Sequence, residues 1–144
     1  MGLLDEADGD LVAFWKTKNA ITSIVGIGDN AKLWPDAARD SEPEPFVVFT
    51  ANGGKRFNHL AGRSRARITV LHVYSWGVSR EQADALAKAI YDSTVDYRGS
   101  MGQTTVMWIK CEDAPLTGFD FPTDDSNEKR YWTRDVYRIA HTEN

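Results

Sequence analysis

The residues that are scarce in this chain narrow its chemistry first. Its 144 residues include a single cysteine, Cys111, so no internal disulfide can form, which fits a reducing compartment. Only three histidines are present, His59, His72 and His141, and no His-x-x-x-His or Cys-x-x-Cys spacing occurs. Metal ligation needs such groups clustered, so the sequence predicts no metal site. No stretch approaches the eighteen apolar residues of a membrane span. The N-terminus has no charged region leading into an apolar run and reads as no signal peptide. Met1-Gly2 opens like a myristoylation site, but Glu6 stands where Ser or Thr is required.

Acidic residues are also absent from one long stretch. Residues 1–44 have a charge balance of −5 and residues 81–144 again −5, but residues 45–80 carry six bases and no acid, a balance of +6. A basic block between two acidic ones implies a charged partner, either nucleic acid or an acidic face of a neighbouring copy. The remaining composition is that of a globular chain, 42% hydrophobic and 26% charged. The length suits one compact domain over 1–144 that needs no metal or disulfide to fold. Five Trp, six Phe and five Tyr supply large groups for a core or an interface.

Residues 1–9 are acidic and read as a flexible N-terminus. Leu11, Phe14, Trp15, Lys18, Ile21, Ile24 and Val25 follow helical spacing, with Asp8 or Asp10 to cap the start and Gly26 and Gly28 to end it, which predicts a helix over 10–25. Ala31-Lys32-Leu33-Trp34-Pro35 reads as a short extended segment at a sheet edge, because Pro35 has no backbone donor. Residues 36–45 are an acidic, Pro-containing loop, and Phe46-Val47-Val48-Phe49-Thr50 is a strand with apolar residues on both faces. Asn52-Gly53-Gly54 signals a turn. From 66 to 76 a strand alternates, with Ile68, Val70, His72 and Tyr74 on one face and Arg67, Thr69, Leu71 and Val73 on the other. The connection between these strands, residues 52–65, is too long for an ordinary structureless loop and predicts a long β-hairpin arm or a flexible basic loop.

Ser79 and Gln82 form a capping box for a second helix over 79–94, lined by Ala83, Leu86, Ala87, Ile90 and Val95. Residues 104–111 and 131–141 read as strands, and 112–130 as an acidic loop. The order α-β-β-β-α-β-β places two helices on a mainly antiparallel sheet, an α+β architecture.

No catalytic signature emerges. Gly26-Ile27-Gly28-Asp29-Asn30-Ala31 matches a dinucleotide fingerprint in spelling only. That motif must follow a strand and open a helix, whereas this one follows a helix and runs into Pro35. Cys111 has no local base to make a thiolate. Asp120, Asp124, Asp125 and Glu128 lack the glycine and alternation of a calcium loop. The sequence therefore predicts no catalytic residue, cofactor or metal ligand. The residues that draw attention are Lys55, Arg56, Phe57, Arg63, Arg65 and Arg67 in the basic arm, where bases and a stacking group suit either a protein interface or phosphate contact.

The layout from the first helix, through Lys32-Leu33-Trp34-Pro35, Pro45-Phe46-Val47-Val48-Phe49 and Arg67-Ile68-Thr69-Val70-Leu71-His72-Val73-Tyr74-Ser75, to the helix with Ala83, Leu86 and Ala87 resembles the tail-completion, or tail-terminator, proteins of long-tailed phages. The likeness covers about residues 10–95. It implies a homo-oligomeric ring, commonly of six copies, in the virion tail at the head–tail interface, assembled in the host cytoplasm. One side would meet the tail-tube protein and the other the head connector, with DNA passing through the lumen without specific binding. The basic arm would then make subunit or tube contacts. Other readings are a head-side adaptor or closure protein, a nucleic-acid-binding module using the arm, and a small enzyme or ligand-binding domain in which His72, His141 and Cys111 or carboxylates converge.

Overall fold

A computed structural model describes residues 9–35, 43–59, 62–112, 114–121 and 129–143, with the backbone alone for residues 29, 52–59, 62–65 and 143. The expected loose N-terminus lies outside these residues except for Gly9, as do 36–42 and 122–128 of the two acidic loops.

The chain is α+β. Helices α1 (Asp10–Lys16) and α2 (Asn19–Val25) precede a 3-10 turn at Gly28–Asn30, then β1 (Leu33–Pro35), β2 (Phe46–His59) and β3 (Gly62–Gly77). Helix α3 (Arg80–Thr94) follows, then β4 (Gly99–Met101), β5 (Thr104–Cys111), β6 (Leu116–Asp120) and β7 (Arg130–Glu143). The strands form one sheet in the order β1-β2-β3-β7-β5-β4, with β6 pairing β7 beyond the end of β5. Only β1 and β2 run parallel; every other pairing among the described residues is antiparallel.

The single helix expected over 10–25 is two helices. The Thr17 hydroxyl donates to the Phe14 carbonyl at 2.6 Å, and Lys18 is extended before α2 restarts at Asn19. A threonine that hydrogen-bonds a carbonyl of the preceding turn competes with helix propagation. The break lets both short helices turn apolar residues inward: Leu11, Val12 and Trp15 from α1, Ile21 and Val25 from α2. Asp10 does not cap α1. It lies buried in the first turn and accepts from the Thr104 hydroxyl at 2.7 Å, which ties α1 to β5. Gly102, at φ +61°, leaves room for that carboxylate, since a Cβ there would stand 2.0 Å from Asp10 Oδ1.

The capping box at α3 forms as the sequence predicts. The Ser79 hydroxyl accepts from Gln82 N at 3.1 Å, and Gln82 Oε1 accepts from Val78 N at 2.9 Å, which stabilises the helix by about 1 kcal/mol. Its buried stripe is Ala83, Leu86, Ala87, Ile90 and Thr94, and this face packs over β3 and β7. Burying Leu86 and Ile90 completely contributes about 1.5–3 kcal/mol each. Trp15 closes the layer. It meets Phe49 edge-on at 5.3 Å between ring centroids, and its indole N–H donates to Thr94 Oγ1 at 3.0 Å.

The alternation expected for β3 holds. Thr69, Leu71, Val73 and Ser75 are buried beneath the helices, and Ile68, Val70, His72, Tyr74 and Trp76 lie half-buried on the opposite face. Two strands lie where none was expected. β4 is a three-residue edge hairpinned onto β5. β6 falls inside the segment read as the loop 112–130. Its Leu116-Thr117-Gly118-Phe119-Asp120 has no strong strand composition, and it is extended because β7 offers it an open edge from Arg134 to Arg130.

Candidate subunit interface

The basic segment 52–65 is built into the sheet as a ribbon. β2 and β3 pair from Phe46↔Trp76 to His59↔Gly62. Asn52-Gly53-Gly54 is no turn; the register shifts between Asn52 and Gly54, so the extra residue is a bulge within β2. The strand runs on because β3 continues opposite it. β7 stops following β3 at Ala66↔Thr142, so beyond that point the hairpin is a two-stranded arm. The backbones of Lys55, Arg56, Phe57, Arg63 and Arg65 belong to this ribbon, and their side chains lie outside the described ones. Arg67, at the root of the arm, is half-buried and stands in register with Arg56 and His141. The sixth base of the basic block, Arg80, is used internally. Its guanidinium donates to the Trp132 carbonyl at 2.7 Å, the Thr133 hydroxyl at 2.6 Å and the Gly118 carbonyl at 3.3 Å, clamping the start of α3 to β6 and β7.

At the other end of the sheet a groove of about 660 Å³ opens between α3 and the β5–β6–β7 edge. Asp84, Lys88 and Tyr91 line it from the helix, and Cys111, Thr133 and Asp135 from the strands. Asp84 is satisfied: it accepts from the Thr133 hydroxyl at 2.7 Å and lies 3.4 Å from Arg80. Lys88 is committed to Asp92 at 2.6 Å, and that carboxylate holds the ammonium above its ordinary pKa. Asp135 is different. It is 8% exposed, and no hydrogen bond or ion pair reaches its carboxylate. Burial, and then the nearby Asp84 charge, raise its pKa. Below it the Tyr137 hydroxyl is buried without a hydrogen-bond partner, its pKa pushed up by burial and then by Asp135. Burial and the Asp135 charge push the Cys111 thiol up to about 11, so it stays protonated and unreactive at neutral pH.

The outer face of the sheet has no helix across it among the described residues, yet it is rich in apolar groups. Trp34, Phe46 and Trp76 form a row with ring centroids 5.7 and 5.8 Å apart, and Tyr74 meets Trp132 at 5.7 Å. Leu116, Phe119 and Phe121, each 50% exposed, extend this apolar character to the β6 edge. The proposed enzyme constellation does not assemble. His72 lies on the outer face, His141 is buried on the helix side with Nε2 2.7 Å from Thr69 Oγ1, and Cys111 lines the groove. Among the described residues no group of three His, Cys, Asp or Glu could hold a metal ion, and no helix is long and apolar enough to cross a membrane. Gly26 ends α2 at φ +105° and leads through the 3-10 turn into β1, so the fingerprint spelling there is a helix stop.

The fold has a likeness among solved structures. It matches a chain of the "Virion of native gene transfer agent (GTA) particle" with a TM-score of 0.56 at 10% identity, over 89% of this chain and 90% of that one. At that identity the likeness is one of fold. No protein-family model matches the sequence, and no curated protein does.

Asp135 is the residue that motif reasoning missed. A signal for it was present: in Tyr131, Thr133, Asp135, Tyr137 and Ile139 it is the one charge on the parity that faces the helices. An inward charge in an alternating strand needs a partner or a purpose.

Proposed function

We propose that this chain is a structural virion protein that forms a ring at the head-proximal end of a phage-type tail, where it terminates tube growth and provides the docking surface for the head connector. The reading rests above all on the end-to-end likeness in fold to a chain of a virion particle. The surfaces of the molecule support it. A paired hairpin arm, a half-buried aromatic sheet face and an apolar β6 edge are contact features, whereas the groove has the residues of no recognised catalytic arrangement. Tube subunits stack through heterologous contacts that continue until something blocks the end. A ring with one face fitting the tube and the other refusing further tube protein does so by shape alone. The role needs no cofactor and no turnover, and DNA crosses the lumen without a specific grip.

Sedimentation and native mass measurement of the purified chain test this directly. The expected species is a closed ring, six copies being the stoichiometry the reading favours, formed alone or on addition of the tube protein. A chain that remains monomeric in both cases contradicts it. Retention on DNA that falls steeply between low and moderate salt identifies a nucleic-acid module instead, and co-purification with filled heads rather than tails identifies the head-side adaptor.

A further inference from the structure

The two ends of the sheet carry complementary and unfinished features. At one end is a ribbon with Lys55, Arg56, Arg63 and Arg65 and no acid. At the other is a groove whose floor holds Asp135, a residue 8% exposed with no hydrogen-bond partner for its carboxylate, beside a second carboxylate and an unpartnered tyrosine hydroxyl. A buried, ionised carboxylate is costly unless it is paired and hydrogen-bonded, so a groove of this kind is incomplete without a cation. We propose that it receives an arginine from the arm of a neighbouring copy, Asp135 and Asp84 accepting the guanidinium; the inference rests on the ring reading above and names the contact that closes the ring.

The chain's own arm does not reach its own groove. Asp135 stands opposite Val73 on β3, and the arm ends near Gly62 on the same strand. Eleven residues of strand separate the two positions, about 35 Å at roughly 3.3 Å per residue, and the ribbon points away. A donor at one end and an acceptor at the other make a heterologous contact, which closes into a ring when the rotation between copies allows it. The planar guanidinium matches a carboxylate with two donors at once and is more weakly hydrated than an ammonium, which favours Arg63 or Arg65 over Lys55 as the inserted group. Such a pair fixes register and selects the partner more than it adds affinity. It also accounts for the charge map of the sequence. The bases that have internal work, such as Arg80, lie outside the arm, and the arm bases are matched by an acidic site on another copy. Phosphate does not fit the groove, because it would meet Asp84 and Asp135.

The test places an exposed thiol at the lip of the groove, Thr117→Cys, in a Cys111→Ala background. Ser64→Cys places a second thiol in the arm without removing a base. Treatment with a short bismaleimide is expected to give a covalent ladder from dimer up to the full ring. The ladder should vanish in Ser64→Cys/Cys111→Ala, which lacks the Thr117→Cys thiol. Separately, Asp135→Asn, which keeps the shape of the side chain, is expected to raise the concentration at the assembly midpoint at least tenfold, as is Arg63→Glu with Arg65→Glu. Rings that form without any ladder and assemble equally well in Asp135→Asn overturn this contact while leaving the ring intact. Wild-type chain that stays monomeric with and without tube protein removes the ring, and this contact with it.

Discussion

The two faces of one sheet are built to different rules. Beneath the helices, Leu71, Val73, Tyr137 and Ile139 are each no more than 1% exposed, and the groups beside them are interlocked by the Trp15–Thr94 and Asp10–Thr104 hydrogen bonds. On the outer face the same strands carry Val70, Tyr74, Trp76, Trp132 and Val136 half-buried, with no helix across them among the described residues. Both faces are apolar, yet only one of them is needed to finish the fold. In the ring proposed above, the second is the surface left for contact with other subunits.

Substitutions on opposite faces sharpen that comparison. Leu86→Ala, on the helix that covers the inner face, is expected to lower stability by about 2–5 kcal/mol, read as a lower urea midpoint with an unchanged slope. Val136→Thr, on the outer face of β7, should cost about 1 kcal/mol or less but weaken assembly. If Val136→Thr destabilised the isolated chain as much as Leu86→Ala does, the outer face would belong to the folding core and the comparison would fail.

A smaller effect separates the groove from both faces. The Asp135 carboxyl has a folded-state pKa raised by burial and by Asp84. The stability it contributes is therefore complete below its unfolded value of about 3.9 and is lost as pH rises through the folded value. At concentrations where the chain is monomeric, Asp135→Asn should raise the thermal midpoint at neutral pH, and the difference from wild type should close toward about pH 4. If the proposed contact holds, the same substitution weakens the ring, and a residue that lowers the stability of the isolated chain serves assembly. A lower midpoint for Asp135→Asn at neutral pH would show that the carboxylate already has a partner within its own chain.

Much of this fold was legible in the residues because local and tertiary preferences agree. The period-2 burial of β3 follows its alternation, and α3 begins where Ser79 and Gln82 mark it. The features that escaped depend on partners distant in sequence. The break at Thr17 comes from one hydroxyl, and β6 is a strand only because β7 lies beside it. The groove draws Asp84, Cys111 and Asp135 from three elements with no fixed spacing, so no motif could announce it. The arm was legible as a basic hairpin, but the site proposed to receive it was not.

The central claim is that this protein acts by fit with copies of itself and with the tip of a polymer. Its most direct test is the length distribution of tail tubes grown in vitro from the tube protein with and without this chain, imaged by electron microscopy. The account predicts that adding the chain stops elongation and leaves a ring at one end of each tube. Tubes that keep growing at the same rate, with both ends bare, would contradict it.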